Sequence, residues 1–364
     1  MGLLSGAPAP MFKAPSPVNP RFALSSLGGR YVVLCFLPEP GPAREAALGL
    51  VQKRAALFAN EDCLFFGVLP DAASFASAVN GPLMRWFGDT EGELRRLYDA
   101  VNADGTLQPR WVVLDPTQRL LGWVALDEGE GLLNYLARLG PPAGHAGVPV
   151  HAPVLIVPRI FEPELCRQLI GLYQADGGAP SGVMREKDGK TVGVLDDFKR
   201  RRDMTIADET LNSGLRYRIY RRLIPEIRKV FQFEATRIER YIVACYDASD
   251  GGYFKAHRDD TTPATSHRKF AVSINLNAEQ FEGGDLRFPE FGPQTYRPPT
   301  GGAVVFSCSL LHEATPVTRG TRYAFLPFLF DEASVKIRDA NQHLLVAGLD
   351  PGDTVGEPEP AVAD

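Results

Sequence analysis

Two histidines, an aspartate and an arginine in the second half of the chain are the residues whose types and order best suit chemistry. His257 and Asp259 are separated by one residue, His312 follows later, and Arg322 comes a short strand-length beyond it. Two imidazoles and one carboxylate suit ferrous iron with open coordination positions. An arginine beyond the second histidine is the anchor that a dicarboxylate cosubstrate needs. The pattern therefore predicts a site that uses iron, oxygen and a 2-oxoacid to oxidise a substrate.

The surrounding elements must bring these side chains together. Residues i and i+2 of a strand point to the same side, so a strand over 253–258 lets His257 and Asp259 bind one ion. His312 follows a strand-like run at 302–307 and a short turn. A bare His-x-Asp tripeptide occurs by accident in many proteins, and a surface pair at a strand end is its ordinary explanation. The chain has only six histidines, so the whole set inside a strand-rich segment favours the metal site.

The composition bounds the class of protein. A chain of 364 residues is long enough for two domains, and 45% hydrophobic with 23% charged residues is typical of a soluble globular protein. The net charge of −5 argues against a dedicated nucleic-acid binder. No apolar run is long enough to span a membrane and no signal pattern opens the chain, so we expect a cytoplasmic protein. The five scattered cysteines form no CxxC pair, which predicts reduced core thiols.

The first half alternates predicted strands with predicted helices, which is typical of an α/β domain. Residues 1–20 read as a proline-rich lead-in. The stretch 141–150 is rich in Gly and Pro, so we treat it as a linker and place the first domain at 1–140. Strands are predicted at 31–37 and 64–69, a hairpin at 111–115 and 120–125, and helices at 43–59, 91–100 and 127–139.

The second half changes to short strands separated by turn residues, a rhythm that suits a β-sandwich or jelly roll. We place this domain at 151–335, followed at 336–364 by the end of a last helix and an acidic tail that we expect to be disordered. Residues 177–199 are Gly-rich and charged and predict a mobile loop. Helices are predicted at 162–175, from 207 onward with Pro225 as a kink or a new start, and at 332–347; strands are predicted at 237–246, 253–258, 269–277, 284–288, 302–307 and 322–330.

Three segments of the second half resemble a known family. Tyr246 to Asp259, Phe281 to Phe288 and Phe306 to Tyr323 are similar, in order and spacing, to the prolyl 4-hydroxylase-like branch of the Fe(II)/2-oxoglutarate-dependent dioxygenases. The resemblance covers roughly residues 150–335. It implies a double-stranded β-helix, or jelly roll, with supporting helices packed on one side.

The resemblance also implies roles for single residues. Fe(II), 2-oxoglutarate and O2 would be the cofactors, with ascorbate as a further candidate. Asn275 falls where some relatives have a tyrosine, and Asp259 stands where halogenating relatives have a small residue, so hydroxylation is expected. The implied iron ligands are His257, Asp259 and His312, the cosubstrate residues are Arg322, Tyr246 and Asn275, and the substrate candidates are Tyr253, Lys255 and Arg202.

The first half resembles another family. Phe22 to Pro38 is similar to the opening of a peroxiredoxin, which has a thioredoxin-like α/β fold. The peroxidatic cysteine of that family would follow Pro38, but the chain has no cysteine between Cys35 and Cys63. Cys35 lies within a predicted strand, so we interpret it as a core residue. The resemblance implies a redox-inactive thioredoxin-like domain.

Several functions remain open at this point. The leading hypothesis is hydroxylation of a peptidyl side chain, with prolyl the first choice by resemblance. The rival within the same class is hydroxylation of a free amino acid or small metabolite, with the first domain mediating homodimerisation or docking of a carrier. A non-catalytic binding or scaffold protein is the alternative from another class, and an active peroxidase is disfavoured by the missing cysteine. The basic residues at 199–222 are either a solvated face or a docking site, and 182–199 is a candidate substrate lid.

Overall fold

The chain forms two compact units in a computed structural model that describes residues 2–102 and 104–346. The first unit is Met1–Ala152 together with Pro289–Gln294, and the second is Pro153–Phe288 together with the residues from Thr295 onward. The sequence pattern did not indicate that Pro289–Gln294 joins the first unit. Among the described residues, no helix has both the length and the apolar character that a membrane span requires.

The first unit contains a mixed five-stranded sheet in the order β5-β4-β3-β6-β7. The strands β3, β4 and β5 run parallel, and β6 and β7 are antiparallel to their neighbours. Its strands are β1 (Lys13–Ser16), β2 (Asn19–Ala23), β3 (Tyr31–Phe36), β4 (Cys63–Leu69), β5 (Arg85–Gly88), β6 (Arg110–Leu114) and β7 (Leu120–Ala125), and its helices are α1 (Pro42–Lys53), α2 (Ala72–Ala76), α3 (Glu93–Leu97) and α4 (Gly129–Leu136).

The central strand β3 is buried along its whole length, because both faces of the sheet are covered. Val32 and Leu34 pack in one hydrophobic cluster, while Val33 and Cys35 pack in another. This alternation follows from the two-residue period of a strand. Cys35 is therefore a core residue of β3, as predicted, and all five cysteines are buried free thiols.

Parts of the first half differ from the prediction. The supposed lead-in contains strand β1, which pairs with β2 as an antiparallel hairpin. The helix predicted at 91–100 is limited to α3, because Gly92 and Asp99 on either side have left-handed φ angles of 72° and 53°. Helix α1 ends at Lys53, which is shorter than predicted, and is followed by a short 3-10 turn.

The second unit contains two larger sheets. The major sheet has the order β14-β25-β17-β24-β15-β13-β9, with β21 and β8 attached through β17, and the minor sheet has the order β12-β16-β22-β19-β20. The strands are β8 (Leu155–Val157), β9 (Ala179–Pro180), β10 (Val183–Lys187), β11 (Lys190–Val194), β12 (Lys199–Arg200), β13 (Arg202–Thr205), β14 (Arg237–Glu239), β15 (Ile242–Asp247), β16 (Tyr253–His257), β17 (Phe270–Asn275), β18 (Glu282–Gly283), β19 (Leu286–Arg287), β20 (Thr295–Tyr296), β21 (Ala303–Ser307), β22 (His312–Ala314), β23 (Val317–Arg319), β24 (Thr321–Phe325) and β25 (Phe328–Phe330), and the helices are α5 (Pro163–Asp176), α6 (Glu209–Arg218), α7 (Ile224–Phe231) and α8 (Glu332–Asn341).

The two sheets face each other, and helices cover the other side of the major sheet. Tyr246 of β15 packs in one hydrophobic cluster with Ala314 of β22 and Phe254 of β16. The alternate residue Val243 of β15 packs with Leu169 of α5 in the cluster that also contains residues of α6 and α7. Strand alternation thus directs one set of β15 side chains to the minor sheet and the other set to the helices. This layering agrees with the predicted sandwich of sheets.

The segment predicted as a mobile loop instead forms a regular hairpin of β10 and β11. Its turn uses Asp188 and Gly189, both with left-handed φ angles, a combination that two-residue hairpin turns favour. Thr191 is fully buried, and its hydroxyl oxygen accepts a hydrogen bond from the backbone N–H of Ala264. These contacts hold the hairpin against the rest of the unit.

Backbone geometry also divides elements that the sequence predicted as continuous. Arg240, with a φ of 71°, separates β14 from β15 in the predicted strand 237–246. The long helix from 207 becomes α6, a π-helical turn at Ile219–Leu223, and α7, with Pro225 in the first turn of α7. Proline lacks an N–H donor, so this position costs the helix no hydrogen bond. The predicted disordered tail lies outside the described residues.

Candidate metal centre

The three predicted metal ligands meet at one end of the minor sheet. His257 of β16 and His312 of β22 are directly paired across the two strands. Asp259 follows β16, and its backbone N–H donates a hydrogen bond of 2.9 Å to the carbonyl of Cys308 in the turn before β22. The Nε2 atoms of His257 and His312 lie 3.5 and 3.4 Å from the two oxygens of the Asp259 carboxylate. One ligand atom from each residue lies within 4.8 Å of the others.

Hydrogen bonds orient both imidazoles for metal binding. His257 Nδ1 lies 2.7 Å from the carbonyl oxygen of Lys255, and His312 Nδ1 lies 3.0 Å from that of Leu310. A carbonyl only accepts, so each Nδ1 carries the proton and donates. In the neutral imidazole, each Nε2 then has a free lone pair on the side of Asp259. Backbone carbonyls that fix the tautomer in this way are common behind metal-binding histidines.

The electrostatics of the cluster produce the protonation states that a metal requires. Burial would raise the pKa of Asp259, but the nearby imidazoles of His312 and His257 outweigh it and hold that pKa well below its usual range. Burial, followed by the proximity of His257, lowers the pKa of His312 to about 4. Near neutral pH the site therefore presents an ionised carboxylate and a neutral His312, the forms that bind metal ions.

The predicted cosubstrate residues lie together on the major sheet. Arg322 of β24 is only 2% exposed, and its Cα pairs with that of Tyr246. Its Nε donates to Asn275 Oδ1 at 3.3 Å and its Nη2 to Ser273 Oγ at 2.8 Å. The Tyr246 ring centroid lies 5.0 Å from the Arg322 Cζ atom. The structure thus brings Arg322, Tyr246 and Asn275 into one group.

The Arg322 guanidinium forms no ion pair with a carboxylate among the residues that the structure describes; the Asp285 carboxylate acts on it only from a longer distance and is itself paired with Arg297. Its hydrogen-bond acceptors are neutral, and burial lowers its pKa. A buried cation without an anion costs stability, so such a residue is usually retained for a charged ligand. Ser273 was missed by sequence reasoning, although it lies two positions before Asn275 on β17 and so shares its face. Because Ser273 Oγ accepts from Arg322, its own proton is available for another acceptor.

The substrate candidates from the sequence occupy different places. The Tyr253 hydroxyl donates to the carbonyl of Asp197 at 2.7 Å, and Lys255 is exposed two positions further along β16. Arg202 does not join the site, because its guanidinium donates to the carbonyls of Gly177 and Gly178. The neighbouring Arg201 is buried and points to the inner face of the sandwich instead. One step along a strand reverses the side to which a residue points.

Phe254 is a further residue of the site that the sequence did not indicate. Its ring stacks on the imidazole of His257, with centroids 3.5 Å apart and an angle of 22° between the planes. Strict alternation would place residues three apart on opposite sides of a strand. The pairing of β16 with β22 is irregular between Phe254 and His257, so both reach the same side. A local irregularity of this kind leaves no clear sequence signal.

Comparison with known families bears on this arrangement. Residues 241–330 match the family model of the 2OG-Fe(II) oxygenase superfamily. The matched stretch contains the His257–Asp259–His312 cluster and the Arg322 group. Residues 241–330 are therefore similar to the domains of that superfamily. Proteins of this superfamily use Fe(II), 2-oxoglutarate and O2, which are the cofactors predicted from the sequence.

Individual relatives cover the chain in part. A PKHD-type hydroxylase of Synechococcus sp. (strain JA-2-3B'a(2-13)) is 32% identical over 93 residues, which are 24% of this chain and 41% of that protein. A PKHD-type hydroxylase of Pseudomonas putida (strain KT2440) is 26% identical over 210 residues, or 54% of this chain and 85% of that protein. The chain spans about half the length, 41% to 54%, of five such relatives at 30–32% identity.

One solved structure aligns with part of this chain. The mitochondrial 2-Cys peroxiredoxin of Plasmodium falciparum covers 37% of this chain, which corresponds to 92% of that protein, at 16% identity and a TM-score of 0.30.

Proposed function

We propose that this chain is an Fe(II)- and 2-oxoglutarate-dependent dioxygenase that hydroxylates a peptidyl side chain, with a prolyl residue as the first candidate. The observation that carries the proposal is the combination, within one oxygenase domain, of the His257–Asp259–His312 cluster and a buried Arg322 without a carboxylate partner. The first group suits a metal with open positions, and the second suits a dicarboxylate.

The cluster fits ferrous iron in the type, number and spacing of its ligand atoms. Two nitrogens and one carboxylate leave half of an octahedral shell for other ligands. Ligand atoms about 2.1 Å from one ion and at right angles to each other would stand roughly 3 Å apart. The Nε2 atoms lie 3.5 and 3.4 Å from the Asp259 oxygens. Small side-chain movements would bring His257, Asp259 and His312 into bonding distance.

The Arg322 group fits the distal carboxylate of 2-oxoglutarate. A guanidinium fork matches a carboxylate and can bind both of its oxygens. The Ser273 hydroxyl, which accepts from Arg322, would donate its own proton to the ligand. The Tyr246 hydroxyl would add a third donor beside the guanidinium. Asn275 supports Arg322 through its side-chain oxygen and is a positioning residue in this proposal.

With iron, 2-oxoglutarate and oxygen bound, the cofactors would supply the conversion of a C–H bond to a C–OH group, coupled to release of succinate and carbon dioxide. The residues of the chain bind and orient the participants. His257, Asp259 and His312 would hold the metal, and Arg322 would set the direction of the 2-oxoacid. Phe254 covers one face of the His257 imidazole and limits the access of water to that side.

Two similarities support this choice of reaction and substrate class. The curated relatives are PKHD-type hydroxylases, and the sequence resembles the prolyl 4-hydroxylases. Tyr253 and Lys255 of β16 come just before His257 and remain candidates for substrate contact. The first unit is proposed as a thioredoxin-like domain without peroxidase chemistry. Cys35 supports that view, because it is fully buried and burial raises the pKa of its thiol well above the usual range.

The test is to incubate the purified full-length chain with Fe(II), 2-oxoglutarate, oxygen and a pool of cellular peptides. We expect succinate release that depends on 2-oxoglutarate, and peptides that gain the mass of one oxygen atom. The same mass gain in free amino acids or metabolites, but not in peptides, would contradict the peptidyl substrate. Protein that binds neither Fe(II) nor 2-oxoglutarate would contradict the proposed enzyme and favour a scaffold role.

A further inference from the structure

A short charged stretch next to the proposed cosubstrate site directs alternate side chains into the sandwich. Buried and exposed residues alternate along this stretch: Lys199 and Arg201 are buried, whereas Arg200 and Arg202 are exposed. Asp203 follows on β13, and its Cα pairs with Ala244, whose side chain lies on the inner face of β15. The interior therefore contains two basic side chains and one acidic side chain from a stretch that the sequence suggested was a solvated or docking surface.

Arg201 and Asp203 form a buried ion pair. The Arg201 Nη2 atom lies 2.5 Å from Asp203 Oδ2, with the two side chains only 3% and 8% exposed. Burial would raise the pKa of Asp203, but the charge of Arg201 outweighs it and lowers that pKa to about 2. Ser181 joins the pair, since its hydroxyl donates to Asp203 and accepts from Arg201. These contacts allow the Arg201 guanidinium little freedom.

The held guanidinium reaches the hydroxyl of Tyr246. Arg201 Nη1 lies 3.4 Å from the Tyr246 oxygen, and the Arg201 Cζ atom lies 5.8 Å from the ring centroid. Arginine is only a donor, so the phenol oxygen must be the acceptor in this bond. The O–H proton of Tyr246 must then point elsewhere. The same Tyr246 ring lies under the Arg322 guanidinium.

We propose that Arg201 and Asp203 are positioning residues that orient the Tyr246 hydroxyl as a donor to the distal carboxylate of 2-oxoglutarate. This inference rests on the proposed function. Without Arg201, the Tyr246 proton could turn to other acceptors, and the bound carboxylate would lose an oriented donor. A hydrogen bond to a charged group contributes about 1.5–3 kcal/mol, so its loss corresponds to roughly a tenfold or greater loss of affinity.

The experiment measures the dissociation constant of 2-oxoglutarate by calorimetry, under anaerobic conditions, on the Fe(II)-loaded full-length chain. Arg201→Met is expected to weaken binding about tenfold, and Tyr246→Phe by a similar factor. The double variant should be no weaker than Tyr246→Phe alone, because both changes remove the same donor. Arg200→Met is the matched control and should leave the dissociation constant unchanged, since its side chain lies on the exposed face.

A second ligand separates positioning from general damage to the site. The 2-oxoacid 2-oxobutyrate has no distal carboxylate, so Arg201→Met should bind it as the unchanged chain does. Equal weakening for both 2-oxoacids, or additive losses in the double variant, would overturn the inference. Arg201→Lys keeps the charge opposite Asp203 if Arg201→Met fails to fold, and unchanged 2-oxoglutarate affinity in it would also overturn the inference. If the unchanged chain does not bind 2-oxoglutarate, the proposed function itself falls.

Discussion

The ring of Phe254 lies flat against the imidazole of His257, a candidate metal ligand, with centroids 3.5 Å apart. Phe254 makes two further contacts. The Phe198 ring packs edge-on against it, with the ring centroids 6.1 Å apart, and the Nζ atom of Lys199 lies 4.9 Å from the Phe254 ring centroid. The His257 ring is therefore held both by its hydrogen bond to Lys255 and by an aromatic face. These two constraints, both from within β16, leave the ring little freedom to turn.

Replacing Phe254 should weaken metal binding without removing a ligand. We expect Phe254→Ala to lower Fe(II) affinity about tenfold, because residues that orient a metal-binding histidine are typically worth 10–100-fold. Anaerobic titration with Fe(II) measures the effect. Phe254→Tyr keeps the stacked ring and should retain affinity within about twofold of the unchanged chain. Equal affinity in Phe254→Ala would show that the stacking does not support the site.

Removal of a ligand should abolish metal-dependent chemistry and leave the fold intact. His312→Ala is expected to lose at least about 100-fold in Fe(II) affinity, together with 2-oxoglutarate turnover, because two ligands remain of a set of three. Circular dichroism should be unchanged. The control is His343→Ala, an exposed histidine of the same unit. Persistent turnover in His312→Ala would remove this residue from the proposed ligand set.

Replacement of Arg322 should lower the affinity for 2-oxoglutarate without lowering the thermal stability of the ligand-free protein. In Arg322→Met the buried cation is replaced by an apolar side chain, so we expect 2-oxoglutarate to bind at least about 10-fold more weakly. The melting temperature of the ligand-free protein should be equal or higher, because a buried charge without a counter-ion costs stability. Fe(II) affinity measured without 2-oxoglutarate serves as the control and should not change. A large fall in melting temperature would indicate that Arg322 is structural.

Acid should destabilise the second unit through Glu239. The carboxylate binds Arg268 and His267. Burial would raise the pKa of Glu239, but Arg268 and then His267 outweigh it and lower that pKa from 4.5 to about 2. Because the folded pKa lies below the ordinary one, this stabilisation is present above pH 4.5 and is lost as the pH falls towards 2. Its full size is roughly 3 kcal/mol.

Urea unfolding across this pH range tests the expectation. Glu239→Gln should be less stable than the unchanged chain at pH 7, and its free energy of unfolding should fall less steeply between pH 4.5 and 2. The two curves should therefore converge in acid. Parallel curves would assign the acid sensitivity of the unit to other carboxylates.

The thiol of Cys35 should be inert. It is fully buried in β3, and burial raises its pKa well above the usual range, whereas peroxide reacts with an exposed thiolate. We expect no thiol-dependent peroxide consumption by the full-length chain and no labelling of Cys35 by a maleimide until the protein is unfolded. Mass spectrometry of labelled peptides measures this. Labelling of native Cys35 at a rate similar to that of a free thiol would contradict the redox-inactive role.

The sequence alone was sufficient to predict the chemistry that we propose for the candidate metal centre. The residue types of the candidate ligands can be taken directly from the sequence. On a strand, the two-residue spacing of His257 and Asp259 directs both side chains to the same side. The order of His312 and Arg322 after them was sufficient to predict a metal and a dicarboxylate. Buried apolar strands such as β3 could also be predicted, because a strand in a sheet that is covered on both faces consists of a continuous run of apolar residues.

Only the tertiary structure decided which neighbouring residues serve that site. Arg201 and Arg202 are chemically identical in the sequence, yet Arg201, between β12 and β13, is buried, whereas Arg202 at the start of β13 is exposed. Phe254 reaches His257 through an irregularity in strand pairing, and the hairpin at 183–194 is held by distant contacts of Thr191. Strand register and long-range packing depend on the energy of the whole fold, so they cannot be predicted from a local pattern of residue types.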